Sequence, residues 1–276
     1  MRAFEKILSS IGLDHTIENW ELLNYELVKS NHELLDVVLP FPPIELINLT
    51  SGLTDNLDFA KHGVDIFSAL RRACPREILS FSKVLDFACG CGRVARMMYP
   101  LSCSEFHGAD IDQSMAAYMT KAYPKMNVVH TKPNRRLPFK KNYFDLIYSI
   151  SVLSHTSEES QDLILKELSR ITSPDGILLI SVHSDRAMER TSEQKIFDML
   201  GVDRGLFELA QNDFYNNRHA FILQQGHLTT RKYRYGITFL SSGYIHSHFS
   251  KWFNVLDIVD GAIHDFQSIV VLSPKK

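Results

Sequence analysis

The stretch KVLDFACGCGRVAR, residues 83–96, decides how this chain folds. An apolar run ends on an acid, Asp86. A turn follows with Ala88, Cys89, Gly90, Cys91 and Gly92, and then a helical run begins. A strand that passes through glycines into a helix is the first half of a βα unit. Glycine serves such a turn because its missing Cβ lets the backbone come close to a ligand. In an open parallel sheet, ligands bind outside the carboxyl ends of the strands. RVARMM (93–98) is the expected helix start, with free N–H groups turned towards an anionic group.

Outward from this turn, short apolar strands alternate with helices. Strands are expected at 83–88, 105–110, 127–131, 143–150 and 176–182. QSMAAYMTKAY (113–123) reads as a helix closed by Pro124. EESQDLILKELSRI (158–171) places Ile164, Leu165, Leu168 and Ile171 on one face, with Thr156-x-x-Glu159 as a capping box and SPDG as the stop. This alternation predicts an α/β fold, a parallel sheet with helices on both faces. Upstream, residues 1 to about 40 read as helical, with Trp20, Leu23, Leu27, Leu34 and Leu35 among charges. Prolines 40, 42 and 43 then break the pattern. NLDFAKHGVDIFSALRRA (56–73) is a further helix. Downstream, residues 184 to about 240 form a polar, mostly helical insertion, followed by an amphipathic helix, GYIHSHFSKWF (243–253). NVLDIV (254–259) and FQSIVVLS (266–273) are strands joined by a link too short for a helical crossover, so they should pair antiparallel.

Two ligands compete for the turn. Gly90-x-Gly92-x-x-Ala95 formally satisfies the G-x-G-x-x-G/A fingerprint of NAD(P)-dependent oxidoreductases, and Asp110 stands where the later acid belongs. Asp86 argues against this, because a carboxylate four residues before Gly90 repels a pyrophosphate. It suits a ligand that carries positive charge. VLDFACGCGRVAR resembles the first motif of the class I S-adenosylmethionine-dependent methyltransferases, h-h-D-x-G-x-G-x-G. HGADIDQSM resembles their second, an acid ending strand two. LPFKKNYFDLIYSISVLSHTSEE and LKELSRITSPDGILLISVH resemble the blocks around strands four and five. The four motifs stand in the family's order over residues 83–183, and the final strand pair fits its closing hairpin.

This resemblance implies a Rossmann-like seven-stranded sheet of order 3-2-1-4-5-7-6 with strand seven antiparallel. It implies an N-terminal helical extension (1–80) and a methyltransferase domain (81–276) with a lid inserted at about 184–250. S-adenosylmethionine is the implied cofactor. Asp86, Ala88, Gly90 and Gly92 would form its methionine and ribose cradle, Asp110 with the neighbouring Ile111 the ribose clamp, and the backbone near Ser149 would face its amino group. Ala88 stands where the family's first glycine is usual. The segment VVHTKPNRRLPF lacks the acid that usually meets the adenine amino group after strand three, leaving Asn134 as a candidate acceptor. Without catalysis, the same fold could also serve as a silent binding module.

The conspicuous cysteines explain less. Cys89 and Cys91 make a C-x-C, but Cys74 and Cys103 are isolated and no second pair completes a zinc ligand set, so no metal is expected. Four cysteines in 276 residues do not make a disulfide framework, which suits a cytoplasmic protein. A net charge of −2 offers no general attraction for nucleic acid, and the basic spots (Arg135, Arg136, Lys140, Lys141; Arg231, Lys232, Arg234) read as solvated loops. The N-terminus is a poor signal peptide and no run is long enough to span a membrane, so a small-molecule substrate is the expected partner.

Transfer of an activated methyl group needs mainly alignment, but a hydroxyl acceptor would want a general base. His155, after strand four, and His183, just past strand five, are the candidates; Tyr148, His246 and Tyr244 come behind them. Phe207, Phe214, Tyr215, His219, Phe221, Tyr233 and Tyr235 in the insertion suit an apolar pocket with a few polar contacts, or a lid with its own small core. RKYRY (231–235) reads as a strand with alternating tyrosines.

Overall fold

The computed structural model describes residues 2–31, 33–34, 37–38, 41–101, 105–224 and 234–275. Leu35, Pro40, Cys103, Arg231, Lys232 and Tyr233 lie outside these residues. The chain divides into two compact units, residues 1–131 and 132–276.

The first unit opens with helices α1 (Ala3–Ser10), α2 (Ile17–Leu22) and α3 (Val28–Ser30), with a π-helical turn at Leu23–Leu27 between the last two. α4 (Ile44–Ser51) and α5 (Asn56–Ala73) follow. Capping explains where they start. Thr16 Oγ1 accepts from Asn19 N, and the Asp55 carboxylate accepts from Asp58 N, each satisfying a free N–H of the first turn. Arg71 and Arg72 sit at the C-terminal end of α5, where cations suit the helix dipole. Trp20 is fully buried and its indole donates to Met97 O at 3.1 Å, so the helical extension is built onto the segment after the turn.

Strand β1 (Lys83–Phe87), α6 (Ala95–Met98), β2 (Glu105–Asp110), α7 (Gln113–Ala122) and β3 (Asn127–His130) complete the unit. β1 and β2 pair in parallel with Asp86 opposite Gly108; β2 and β3 pair in parallel with Asp110 opposite His130. Consecutive residues Val84, Leu85 and Asp86 are all buried, the pattern of a strand covered on both faces. The expected helix after the turn is only four residues long, because residues 93–94 still belong to turns. Its dipole is therefore a lesser resource than the sequence suggested.

The second unit contains β4 (Phe144–Ser149), α8 (Glu158–Ile171) and β5 (Thr172–His183), with β4 and β5 parallel. SPDG lies inside β5 rather than before it, across a register shift between Phe144 and Leu146. The insertion supplies α9 (Asp185–Arg190), α10 (Gln194–Leu200), α11 (Arg204–Tyr215) and a hairpin of β6 (Ala220–Leu223) and β7 (Gly236–Phe239). Phe197, Leu200, Phe207, Ala210, Phe214, Ile222 and Phe239 form its own apolar core. Helix α12 (Ser242–Phe249) leads into β8 (Phe253–Ile263) and β9 (Gln267–Pro274), an antiparallel pair whose second strand also runs antiparallel to β5. The fold is thus α/β and Rossmann-like, of order 3-2-1-4-5-7-6, with β9 as its antiparallel seventh strand and β8 as its sixth. The β6–β7 hairpin is an addition that the sequence reading took as helical. In RKYRY, Tyr235 makes one isolated bridge with Thr156 before β7 begins.

Candidate active site

The turn after β1 is shaped by three left-handed residues. Ala88 has φ 62°, Gly90 φ 52° and Gly92 φ 87°. Glycine adopts this region at no steric cost, whereas Ala88 pays for its Cβ. Backbone bonds hold the shape: Ala88 N and Cys89 N both donate to Ala109 O, at 2.7 and 3.2 Å, and Gly92 N donates to Cys89 O at 2.9 Å. A Cβ on Gly90 would lie 2.8 Å from Thr50 Cγ2, so α4 sits directly over the turn. Thr50 Oγ1 also donates to Cys91 Sγ at 3.2 Å. Sequence reasoning missed α4 and Thr50, since nothing in IELINLTS marks it as a cover for residue 90.

Asp86 is the last residue but one of β1, at 4% exposure. Asp110 ends β2 and does two jobs. Its Oδ2 accepts from Gly90 N at 2.7 Å and its Oδ1 from Asp112 N at 2.8 Å, tying the turn to the second strand. Burial raises its pKa while these N–H bonds pull the other way. Backbone N–H groups of Gly90, Asp112 and Ile111 all bond this carboxylate, which has about four lone-pair sites in its ionised form. Ile111 is half-buried, and its carbonyl lies 3.2 Å from His130 Nε2.

The cysteines pack. Cys89 is 5% exposed against Gly108, and Cys91 is fully buried among Ile47, Phe59 and Met115. Burial pushes both thiols up, the opposite of what a reactive thiolate needs. One basic group nearby has no explanation from the fold. Arg96 is fully buried beneath the Phe41 ring, none of its three guanidinium nitrogens finds a hydrogen-bond partner among the described residues, and burial pulls its pKa down to about 10.

In the second unit, Asn134 is itself left-handed, φ 56°. Its Nδ2 donates to Ser160 Oγ at 3.2 Å, while its Oδ1 is buried with no partner among the described residues. That orphaned acceptor is what an amino group of a ligand would satisfy. Ser149 closes β4 at 1% exposure, its Oγ likewise unbonded.

The two histidines come together. The rings of His155 and His183 meet edge to face at 5.8 Å, and His155 stacks on Tyr235 at 4.8 Å. His155 Nδ1 is 2.8 Å from Gly236 O and His183 Nδ1 3.2 Å from Thr238 O. A carbonyl partner fixes the proton on Nδ1 and makes Nε2 the basic nitrogen. His183 is 3% exposed, and burial, with His155 as the second cause, takes its pKa down to about 3. Such a group stays neutral and accepts protons poorly at neutral pH. Tyr148 is fully buried, His246 is exposed on α12, and Tyr244 donates to Glu158 Oε1 at 2.7 Å.

No helix among the described residues is long and apolar enough to cross a membrane. Residues 85–180 match the sequence profile of the family described as "Methyltransferase domain". No curated protein matches the chain in sequence. Solved structures do match in fold. A PH0226 protein from Pyrococcus horikoshii OT3 is 15% identical with a TM-score of 0.58, covering 80% of this chain and 93% of its own. An S-adenosylmethionine-dependent methyltransferase from Clostridium acetobutylicum ATCC 824 is 14% identical at TM-score 0.54, covering 83% and 97%. The glycopeptide N-methyltransferase MtfA, solved with S-adenosyl-L-homocysteine, is 13% identical at TM-score 0.53, covering 86% and 100%. Residues 85–180 thus carry a methyltransferase domain, within a chain whose sheet order is that of the Rossmann-like methyltransferase fold.

Proposed function

We propose that this enzyme methylates a hydroxyl or amine on a small or medium-sized molecule, with His155 as the proton acceptor. The observation that carries the reading is the turn itself. Asp86 brings a negative charge to a turn that Gly90 and Gly92 shape with left-handed angles, which suits a cofactor bearing a sulfonium and an ammonium. The bound cofactor supplies an activated methyl group, so the chain's task is to align the acceptor and exclude water. Asp86, Ala88, Gly90 and Gly92 hold the methionine and ribose end. Asp110 accepts the ribose hydroxyls beside Ile111. The backbone of Ser149 faces the amino group, and the Asn134 Oδ1 orphan accepts from the adenine amino group in place of the missing acid.

His155 is preferred to His183 because the latter is enclosed and held neutral by burial. Its Nδ1–H rests on Gly236 O, which orients the ring and presents Nε2 as the base. Residues 1–80 and the lid at 184–250 select the acceptor in this reading. Incubation with [methyl-³H]-S-adenosylmethionine and a panel of small hydroxyl and amine compounds tests it. Label should appear in a low-mass product, and His155→Ala should slow transfer to a hydroxyl by about 10²–10⁴-fold while leaving cofactor affinity intact. Label found only in protein or nucleic acid would overturn the substrate class, and an unimpaired His155→Ala would remove the base.

A further inference from the structure

The loop that leaves β4 starts in a conformation its sequence does not favour. Ser151 has φ 60°, the left-handed region that few non-glycine residues occupy. Its amide donates to Ser181 Oγ on β5 at 2.8 Å. Its hydroxyl meets the side-chain amide of Gln267, with Nε2 at 3.0 Å and Oε1 at 3.3 Å. Ser181 is fully buried, and Gln267 opens β9 directly opposite His183 in the antiparallel register. Ser181 and His183, two apart on one strand, share a face, so the clamp on Ser151 lies beside the paired histidines.

The far end of the loop is tied as firmly. Gln161 Nε2 donates to Leu153 O at 2.6 Å, and Thr238 Oγ1 donates to Thr156 O at 2.8 Å. Thr156 bridges Tyr235, and the His155 ring is anchored on Gly236 O. Residues 153–155 form a single 3-10 turn between these anchors. A strained residue persists only where its surroundings over-determine it, and such residues gather at functional sites. A glycine would take the same φ without strain, but it would bring no hydroxyl to Gln267.

We infer that Ser151, gripped by Ser181 and Gln267, is a positioning residue that fixes the path of residues 151–156 and thereby the place of the His155 imidazole. The inference rests on the reading of His155 as the proton acceptor and adds to it the device that holds the ring. Ser151→Gly accepts the backbone angle and removes the hydroxyl; Gln267→Leu removes the amide at similar volume; Ser151→Asn tolerates the left-handed region and keeps a partner for Gln267. In protein labelled with ¹⁵N-histidine, the His155 ring signals and their pH titration should shift in Ser151→Gly and Gln267→Leu and return in Ser151→Asn. Amides 151–156 should exchange with deuterium at least tenfold faster in the first two variants, with the rest of residues 132–276 unchanged. Wild-type His155 signals in both variants, or exchange that quickens throughout residues 132–276, would overturn the inference. These readouts need neither cofactor nor acceptor, so they fail independently of the transfer assay for His155.

Discussion

At the scale of single residues, Ala88 and His183 make the clearest claims. Ala88 keeps a left-handed backbone that costs a non-glycine residue roughly 1–2 kcal/mol, while alanine gains roughly 0.4–1 kcal/mol over glycine through the unfolded chain. The difference favours glycine, so Ala88→Gly should stabilise the protein by about 0.5–1 kcal/mol and raise Tm by about 1–4 °C in a thermal melt. An unchanged or lower Tm would show that the turn is not strained at this residue. His183 has a folded pKa of about 3 against an ordinary value of 6.5. As pH falls, the unfolded chain takes up the proton first. The stability is therefore complete above about pH 6.5 and is lost between 6.5 and 3, by up to about 1.4 kcal/mol per pH unit. His219, lowered to about 4 mainly by burial, works in the same direction. Urea unfolding at pH 7, 6 and 5 should show this slope, and His183→Gln should flatten it; an identical slope in the variant would contradict the assignment. The sequence showed Ala88 in a glycine's place but not its φ, because the angle depends on the two bonds from 88–89 to Ala109 O. It showed both histidines but not their unequal burial, which depends on Phe239 and Phe266 closing over one of them.

At the scale of elements, the strands β1, β2 and β4 were legible because each is an apolar run covered on both sides and punctuated by turn residues. β2 at Glu105–Asp110 coincides with its expected span, and β1, β3 and β4 differ only at their ends. Helix α8 was legible in extent but not at its start. The expected capping box is absent: Ser157 is the N-cap, its hydroxyl meets Ser160 Oγ at 3.3 Å rather than a backbone N–H, and Thr156 turns back to donate to Val152 O at 3.2 Å. The entry to the helix is organised instead by Gln161, fully buried, whose Nε2 donates to Leu153 O. Gln161→Leu should cost about 1–3 kcal/mol by leaving that carbonyl buried and unmet, whereas Glu159→Gln should change stability by less than about 0.5 kcal/mol. Denaturant unfolding of the pair decides it, and the reverse ranking would restore the capping box. The β6–β7 hairpin escaped the sequence reading because its strands are only four residues each, too short for period-two alternation to stand out from helical spacing.

At the scale of the whole molecule, the order of motifs carried the fold, and the motifs were readable because each sits at the carboxyl end of a strand where geometry restricts residue type. Asp86, Gly90 and Gly92 share one turn, and Asp110 is bonded to it through Gly90. The aromatics of the insertion were not readable as pocket or core, because Phe207 and Phe214 serve an internal core that only the folded chain reveals. The central claim is that the turn seats S-adenosylmethionine through Asp86. Isothermal calorimetry with S-adenosylmethionine and with S-adenosylhomocysteine, on the wild-type chain and on Asp86→Ala, tests it most directly. The account predicts saturable one-site binding of both to the wild type, loss of that binding by at least about a hundredfold in the variant (about 2.7 kcal/mol), and no heat with NADH. Binding of NADH, or equal affinity for S-adenosylmethionine in Asp86→Ala, would contradict it.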